Sequence, residues 1–438
     1  SFFLAVLLVI LGTYLLFNAG TTVVLQLLKK KKNYYYKPNN MISISNLVFR
    51  MKKNAVGLAT IAILSSMVLV TLVGAASIYA GKKDYLASAT PHDYSVAGNK
   101  VDLTSTKKLM DDFLIKTGEQ ANEEVAVSYL LFGIKNQETN KLTVFTKNER
   151  KVVPKSIVLV FSQETFKQLT GKELNLSSNQ IALYTKNKTL KTQKSLSIDG
   201  KNYQIHRQLG DFINKKIPNI YKIIVSDYSY LVVPDIKIFE SSMKGTSIAQ
   251  ATYVGVNVKD PTHDAKKNLD LLDQIAGEAT KQLDSQTTGV PVSYFSANSR
   301  YDAEGMVNGF VGGTFFIGIF LSIIFMLGTV LVIYYKQISE GYEDRERFVI
   351  LQKIGLDDLQ VKQTIRKQVL TVFFLPLIFS FIHLAFAYHM ISLIVRIIGV
   401  LNPDLMLVVT IIVCGVFFLA YIMVFVLTSR SYRRIVSM

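Results

Sequence analysis

Five separated runs of the 438-residue chain, 1–28, 55–80, 306–335, 369–394 and 405–428, contain no Asp, Glu, Lys or Arg and are almost wholly apolar. Crossing the hydrocarbon layer of a bilayer, roughly 30 Å thick, takes about 20 such residues in a helix. No water is available there to the backbone N–H and C=O groups, and a helix satisfies its own. The runs therefore predict a polytopic α-helical membrane protein with about five spans. Half of the residues are apolar and the mean hydropathy is +0.29, in line with that class. The first run already starts at Ser1, with no initiator Met, basic leader or cleavage site, and is read as the continuation of a longer chain.

The net charge of +17 raises the question of a nucleic-acid partner, and the position of the charge answers it. Residues 82–304 carry 30 basic and 25 acidic side chains, whereas the remainder carries 19 and 7. The excess thus lies beside the apolar runs, where it orients a membrane protein, and no nucleic acid is expected. Lys29, Lys30, Lys31, Lys32, Lys37, Arg50, Lys52 and Lys53 fall between the first two runs. Lys336, Arg345, Arg347, Lys353, Lys362, Arg366 and Lys367 fall between the third and fourth, and Arg430, Arg433 and Arg434 follow the fifth. Loop 395–404 has only Arg396. Basic flanks stay on the cytoplasmic side. The expected layout is cytoplasmic for 29–54, 336–368 and 429–438, and extracellular for 81–305 and 395–404, in a bacterial cell membrane.

The outer segment is long enough for one or two folded domains, and its pattern is mixed. Residues 105–120 read as an amphipathic helix with Leu109, Phe113 and Leu114 on one side. Strands are predicted at 125–134, 142–145, 157–161, 181–184, 221–225, 230–233 and 253–258, and a helix at 264–283. Asp199-Gly200 within 195–206 is a tight-hairpin signal. A large α+β extracellular domain follows.

In 336–368 a charged helix is followed by a break. Glu343 and Arg347 are four apart and pair on one face, with Phe348, Leu351 and Ile354 on another. Gly355 suits a helix C-cap, and Asp357 or Asp358 an N-cap. The segment is either a docking surface for a cytoplasmic partner or a solvated loop. Residues 40–54 place Ile44 and Leu47, with Met41, Val48 and Met51, at helical spacing beside Arg50, Lys52 and Lys53, the signature of a helix in the cytoplasmic interface, the alternative being a plain basic loop, and Lys29 to Lys32 should attract anionic lipid headgroups. A cluster of glycines, Gly309, Gly312, Gly313 and Gly318, predicts close helix packing. His383 and His389, six apart with no acidic residue in any run, read as packed histidines. The single cysteine, Cys414, excludes an internal disulfide and a cysteine metal site. No phosphate loop, nucleophile elbow, HExxH or CxxC is present, so no catalytic or metal site is expected, and any nucleotide would be bound by another polypeptide.

The run Tyr335-Lys336-Gln337-Ile338-Ser339-Glu340-Gly341-Tyr342-Glu343-Asp344-Arg345-Glu346-Arg347-Phe348 continues through Gln352-Lys353-Ile354-Gly355 to Gln368-Val369-Leu370 and Phe373-Phe374-Leu375-Pro376-Leu377. It resembles the FtsX-like ABC transporter permeases of the bacitracin-resistance type. So does the stretch from Ile44-Ser45-Asn46-Leu47 to Arg50-Met51-Lys52-Lys53-Asn54-Ala55-Val56-Gly57-Leu58-Ala59-Thr60. On that template the chain is similar to the last five of ten spans. The resemblance implies a permease driven by a separate ATPase, which would hold the ATP and magnesium, with no cofactor on this chain. It further implies resistance to, and sensing of, cell-wall-targeting peptide antibiotics such as bacitracin. The implied partners are a sensor histidine kinase, the antibiotic or a lipid-linked cell-wall precursor, and membrane lipid. The implied coupling element is 340–355, running from Glu340 through Lys353 to Gly355. In it Glu343, Arg345 and Arg347 would make polar contacts and Phe348 and Leu351 would anchor. Asp357-Asp358 departs from the serine that relatives often carry, and either residue caps a helix. Other readings are an FtsX-like or lipoprotein-release permease without an antibiotic role, and a receptor with an extracellular sensor.

Overall fold

In a computed structural model the described residues are 2–20, 23, 38–99, 101–147, 149, 154–218, 227–259, 265–281, 295–353, 358–398, 400 and 402–436. Helices α1 (Phe2–Leu15), α2 (Pro38–Ala89), α8 (Arg300–Lys353), α9 (Asp358–Ile397) and α10 (Pro403–Val436) hold the apolar runs. Among the described residues four stretches are long and apolar enough to cross a membrane: Asn54–Ala89, Arg300–Glu343, Val372–Ile397 and Pro403–Arg430. The helical part of the first run is shorter, Leu4–Gly20, and ends in a π-helical turn, Leu16–Gly20; the rest of that run, Val23 aside, lies outside the described residues.

The chain divides into a helical unit (1–80, 312–395, 402–438) and a β-rich unit (81–311, 396–401). In the helical unit Phe17, Ala55, Leu58, Ala59, Ala62 and Val372 pack α1, α2 and α9 together, with Phe17 edge-on to Phe379 at 5.1 Å. Where α2 meets α8, a Cβ added at Gly318 would lie 2.3 Å from the Ala75 Cβ. Of the predicted glycine cluster, Gly318 is the member at a close helix contact; around Gly309, Gly312 and Gly313 the Cβ space is open. Exposed Phe316, Phe320, Ile323, Leu327 and Leu331 on α8 form an apolar face of the kind lipid solvates.

The β-rich unit holds strands β1 (Tyr94–Gly98), β2 (Ala121–Glu138), β3 (Lys141–Val144), β4 (Ser156–Ser162), β5 (Gln180–Thr185), β6 (Ser195–Ile198), β7 (Lys201–Gln208), β8 (Asp227–Val233), β9 (Ile248–Val258) and β10 (Phe295–Ser299). Between them lie helices α3 (Leu103–Thr117), α4 (Gln163–Thr170), α5 (Lys188–Lys191), α6 (Ile236–Ser242) and α7 (Ala265–Lys281). The strand order is β10-β1-β9-β2-β3-β6-β7-β5-β8-β4, and β4 pairs back onto β2. That last pairing, Leu130↔Val160 through Ile134↔Ser156, closes β2, β3, β6, β7, β5, β8 and β4 into a ring without free edges. The strand period of two puts alternate residues inside. Phe132, Ile134, Val144, Val160, Leu183, Ile198 and Leu231 accordingly fill the interior.

The first half of β2 continues outside the ring as a sheet with β9, β1 and β10. Helices α3 and α7 cover one face of it, through Met110, Phe113, Leu272 and Ile275 on Tyr94, Val96, Val254 and Val256. The helical face predicted around Phe113 is the one buried. Asp102 caps α3, its carboxylate accepting from the Ser105 N–H at 3.0 Å, and Gly118 ends it with φ 71°. The predicted hairpin is β6–β7: Asp199 and Gly200 both have positive φ, 45° and 83°, as a two-residue mirror-image turn demands. The strand expected at 221–225 lies outside the described residues. The residue pattern did not single out β1, β10, α4, α5 or α6.

Strands β1 and β10 run antiparallel, Tyr94 opposite Ser299, and connect in the chain to α2 and α8. Asp93 secures this join. Its carbonyl accepts from the Arg300 N–H at 2.8 Å, its carboxylate from the Val258 N–H at 3.0 Å, and its own N–H donates to Asn257 at 3.2 Å. Next to it, Nδ1 of buried His92 and the Tyr253 hydroxyl are hydrogen-bonded at 2.7 Å. Burial pushes the Tyr253 phenol up, so its hydroxyl stays protonated. Burial also lowers the His92 pKa, against the opposing pull of Glu123 and Asp93, with Arg300 adding to the lowering. Unfolded histidine titrates near 6.5. Below that the unfolded chain binds the proton that folded His92 refuses, so stability is full above about pH 6.5 and falls as pH drops. The melting temperature of the β-rich unit is expected to decline on acidification more steeply in the wild type than in His92→Gln. Parallel declines would show that His92 has no part in it.

Candidate functional site: the buried base of the charged helix

The sequence places a boundary between a span at 306–335 and a charged element at 336–368. No helix end falls at that boundary. Helix α8 runs unbroken from Arg300 to Lys353, so Glu340, Glu343, Arg345, Arg347, Phe348, Leu351 and Lys353 ride on the continuation of a membrane-crossing helix. Its composition explains this: beyond Gly341 up to Lys353 there is neither Gly nor Pro, and straight-chain helix formers dominate. Gly355 and Asp357 lie outside the described residues, and α9 begins at Asp358, where a restart is expected.

On α8, Ile333, Lys336, Gln337 and Glu340 follow the i, i+3, i+4, i+7 spacing of one helix face. That face is turned into the helical unit. Glu340, 9% exposed, accepts from the Asn54 side-chain amide at 2.5 Å, and the Lys336 ammonium donates to the Asn54 carbonyl at 3.0 Å. Both ends of one residue of α2 are thereby held by two residues of α8. Gln337 is equally buried, and its Oε1 has no hydrogen-bond partner among the described residues. It borders a cavity of about 20 Å³ lined also by Leu58, Ile61, Val372, Phe373 and Tyr421. A cavity of that size has room for about one water molecule.

The far wall of the cavity owes its form to Pro376, inside α9. Proline has no N–H, so the carbonyl four residues earlier, that of Val372, loses its helical donor. The neighbouring Phe373 carbonyl accepts from the Tyr421 hydroxyl of α10 at 2.9 Å, and the Ser380 hydroxyl lies within reach of the Pro376 and Ala62 carbonyls, at 2.8 and 3.0 Å. The Tyr421 hydroxyl of an adjacent helix thus reaches backbone one residue from the carbonyl that the proline leaves without its helical donor.

The structure sorts the residues singled out from sequence. Glu340 points inward and is a positioning residue at the base of the charged segment. Glu343 and Arg345 are exposed, one turn further on. For Arg347, Phe348, Leu351 and Lys353 the backbone is helical, and their side chains lie outside the described residues. The same holds for Ile44, Leu47, Arg50, Lys52 and Lys53, all within α2, whose helix continues without interruption into the span. Asn54, Lys336 and Gln337 entered the sequence reading without a role in the site. Their signal was a polar residue at the edge of each apolar run, which by itself reads as a solvated flank. Among the described residues no three His, Cys, Asp or Glu side chains converge as a metal site. His206 is exposed on β7, and His263 lies outside the described residues.

Removing the Glu340 carboxylate should loosen this base. A hydrogen bond to a buried charged group contributes roughly 1.5–3 kcal/mol. Glu340→Ala is expected to lower the melting temperature of the helical unit, while Glu343→Ala, on the exposed side, leaves it unchanged. Equal effects would contradict the inward assignment.

No family model matches the chain. Three curated proteins of Bacillus subtilis (strain 168) are similar to it. The ABC transporter permease protein YxdM is 23% identical over 88% of the chain, and the ABC transporter permease YvcS 22% over 98%. The bacitracin export permease protein BceB is 22% identical over 86%. The chain spans 57%, 63% and 55% of their respective lengths. A crystallised lipoprotein of Bacillus anthracis, 13% identical, aligns with 41% of the chain and 91% of its own at a TM-score of 0.23 and carries no argument. With long apolar helices and similarity to ABC transporter permeases along most of its length, the chain is a multi-pass membrane protein whose relatives are permease components of ABC transporters.

Proposed function

We propose that the chain is the larger part of a permease that works with a separate ABC-type ATPase and protects cells against cell-wall-targeting peptide antibiotics of the bacitracin class. The observation that carries the reading is the similarity, over most of the chain, to three ABC transporter permeases, one of them a bacitracin export permease. The form of α8 supports it. A helix continuous from the membrane into a charged extension, pinned at its base to α2 through Asn54, transmits displacement at its tip with little loss.

In this mechanism the exposed part of 340–355 seats on the ATPase, which holds ATP and magnesium. Closure of the ATPase pushes α8 along its length, and the Lys336–Asn54–Glu340 contacts carry α2 with it. The β-rich unit, placed outside the cell by the basic flanks of the spans, changes its grip on an antibiotic or a lipid-linked precursor. A sensor histidine kinase reads the same movement. The test uses the full-length permease. Co-expressed with an ABC-type ATP-binding subunit from the same genome, it should co-purify with that subunit, and its deletion should raise bacitracin sensitivity. Co-purification with unchanged sensitivity would favour an FtsX-like permease without an antibiotic role. Absence of co-purification would overturn the transporter reading and favour a receptor.

A further inference from the structure

His383 lies on α9, inside the membrane-crossing stretch Val372–Ile397. Its two ring nitrogens meet hydroxyls of two other helices: Nδ1 is 3.0 Å from the Ser66 hydroxyl of α2 and Nε2 is 3.4 Å from the Thr13 hydroxyl of α1. The stretches of the three helices around it, 2–20, 55–81 and 372–395, contain no Asp, Glu, Lys or Arg. Their other titratable groups are Tyr14, Tyr79, Tyr388 and His389. Tyr14 is bonded to Thr60 at 3.1 Å and His389 is exposed.

A hydroxyl has one proton to give and lone pairs to receive with, and neutral imidazole has one N–H and one bare nitrogen. The Thr13 hydroxyl lies 2.6 Å from the Val9 carbonyl and gives its proton there, so towards His383 it can only accept. That places a proton on Nε2. The Ser66 hydroxyl has a choice. It reaches the Ala62 carbonyl at 2.7 Å, but that carbonyl is also reached by the Ser380 hydroxyl at 3.0 Å and by the helical N–H of Ser66 itself. That carbonyl keeps its helical N–H whichever way the hydroxyls turn, and Ser380 has the Pro376 carbonyl at 2.8 Å as its other acceptor, so the two lone pairs never hold more than two donors. Ser66 is therefore free to turn its proton to Nδ1 without leaving the carbonyl unsatisfied.

We propose that half-buried His383 is a proton-binding site at the junction of α1, α2 and α9, with the Ser66 hydroxyl as its two-position partner. In the neutral state Nε2–H donates to Thr13 and Nδ1 accepts from Ser66. When a proton from water binds Nδ1, the Ser66 hydroxyl rotates back to the Ala62 carbonyl and accepts from the new N–H. No hydrogen bond is lost in either state, so protonation changes charge at a three-helix junction without breaking it. This is the feature that separates a proton site from a histidine merely packed among helices, in which one protonation state leaves a nitrogen unmatched. The inference does not depend on the transport reading.

The test is nitrogen NMR of the full chain in lipid nanodiscs with all five histidines labelled. The His383 signals are identified by their loss in His383→Gln, whose amide still donates and accepts. Should that variant not fold, replacing the other four histidines by glutamine leaves His383 alone in the spectrum. At neutral pH the ring should carry its proton on Nε2. On acidification Nδ1 should gain one while the helical circular dichroism stays unchanged. A neutral ring protonated on Nδ1, or a ring that holds a single proton until the helices unfold, overturns the proposal. Ser66→Ala should remove the hydrogen-bond shift of the Nδ1 signal in both states, and a spectrum indifferent to it overturns the Ser66 assignment.

Discussion

Replacing Arg345 and Arg347 together by glutamate is expected to abolish antibiotic resistance while the permease stays in the membrane at its normal level. Arg345 is exposed on α8 beyond the buried Glu340, and exposed substitutions of this kind change stability by no more than about 0.5 kcal/mol. The proposed contacts with the ATPase are charge-assisted hydrogen bonds, each contributing roughly 1.5–3 kcal/mol. Losing two and adding repulsion should weaken assembly by a factor on the order of 1,000. Lysine at both positions keeps the charge but not the planar fork, so partial resistance is expected from that variant. Drug sensitivity, membrane content and co-purification with the ATPase measure the three quantities separately. Resistance preserved in the double glutamate variant would remove 340–355 from the coupling role.

The second large effect is expected from Phe132→Ala, inside the ring of strands. Phe132 is 2% exposed and stacks on Phe239 at 6.4 Å, among Leu130, Val158, Leu183 and Leu231. A closed ring has little room to collapse onto the space left, so the loss should lie at the upper part of the usual range for such a truncation, about 3–5 kcal/mol. Domains are stable by about 5–15 kcal/mol in total. Urea unfolding of the β-rich unit should therefore shift its midpoint to much lower denaturant, with the helical unit unaffected. A change below about 1 kcal/mol would mean that the interior repacks, contrary to the closed-ring geometry.

The elements that residue chemistry dictates locally were legible. Asp199-Gly200 predicts its hairpin because so few residue types accept two positive φ values in succession. Phe113 marks the buried face of α3 because helical spacing puts it with Leu109 and Leu114 on one side. Strands β1 and β10 were not legible. Each is five residues long with mixed polarity, and what makes them strands is pairing with each other and, for β1, with β9. The full length of β2 was hidden for the same reason, since it serves the outer sheet with one half and the ring with the other. At the candidate site, the charge pattern pointed to 340–355, but which of its residues face inward depends on where α2 lies. Glu340 is buried because Asn54 is there to receive it.

The amino-acid sequence alone determined the membrane class, the positions of the long apolar helices and the presence of a separate β-rich domain. Those follow from hydropathy, helix length and charge, properties that each segment carries whatever its neighbours do. Closure of the ring, the inward turn of Glu340 and the pairing of His383 with Thr13 and Ser66 were decided by tertiary structure. Each joins residues tens to hundreds of positions apart. No local periodicity encodes such a meeting, because burial and hydrogen bonding depend on which surfaces the folded chain brings within a few ångströms of each other.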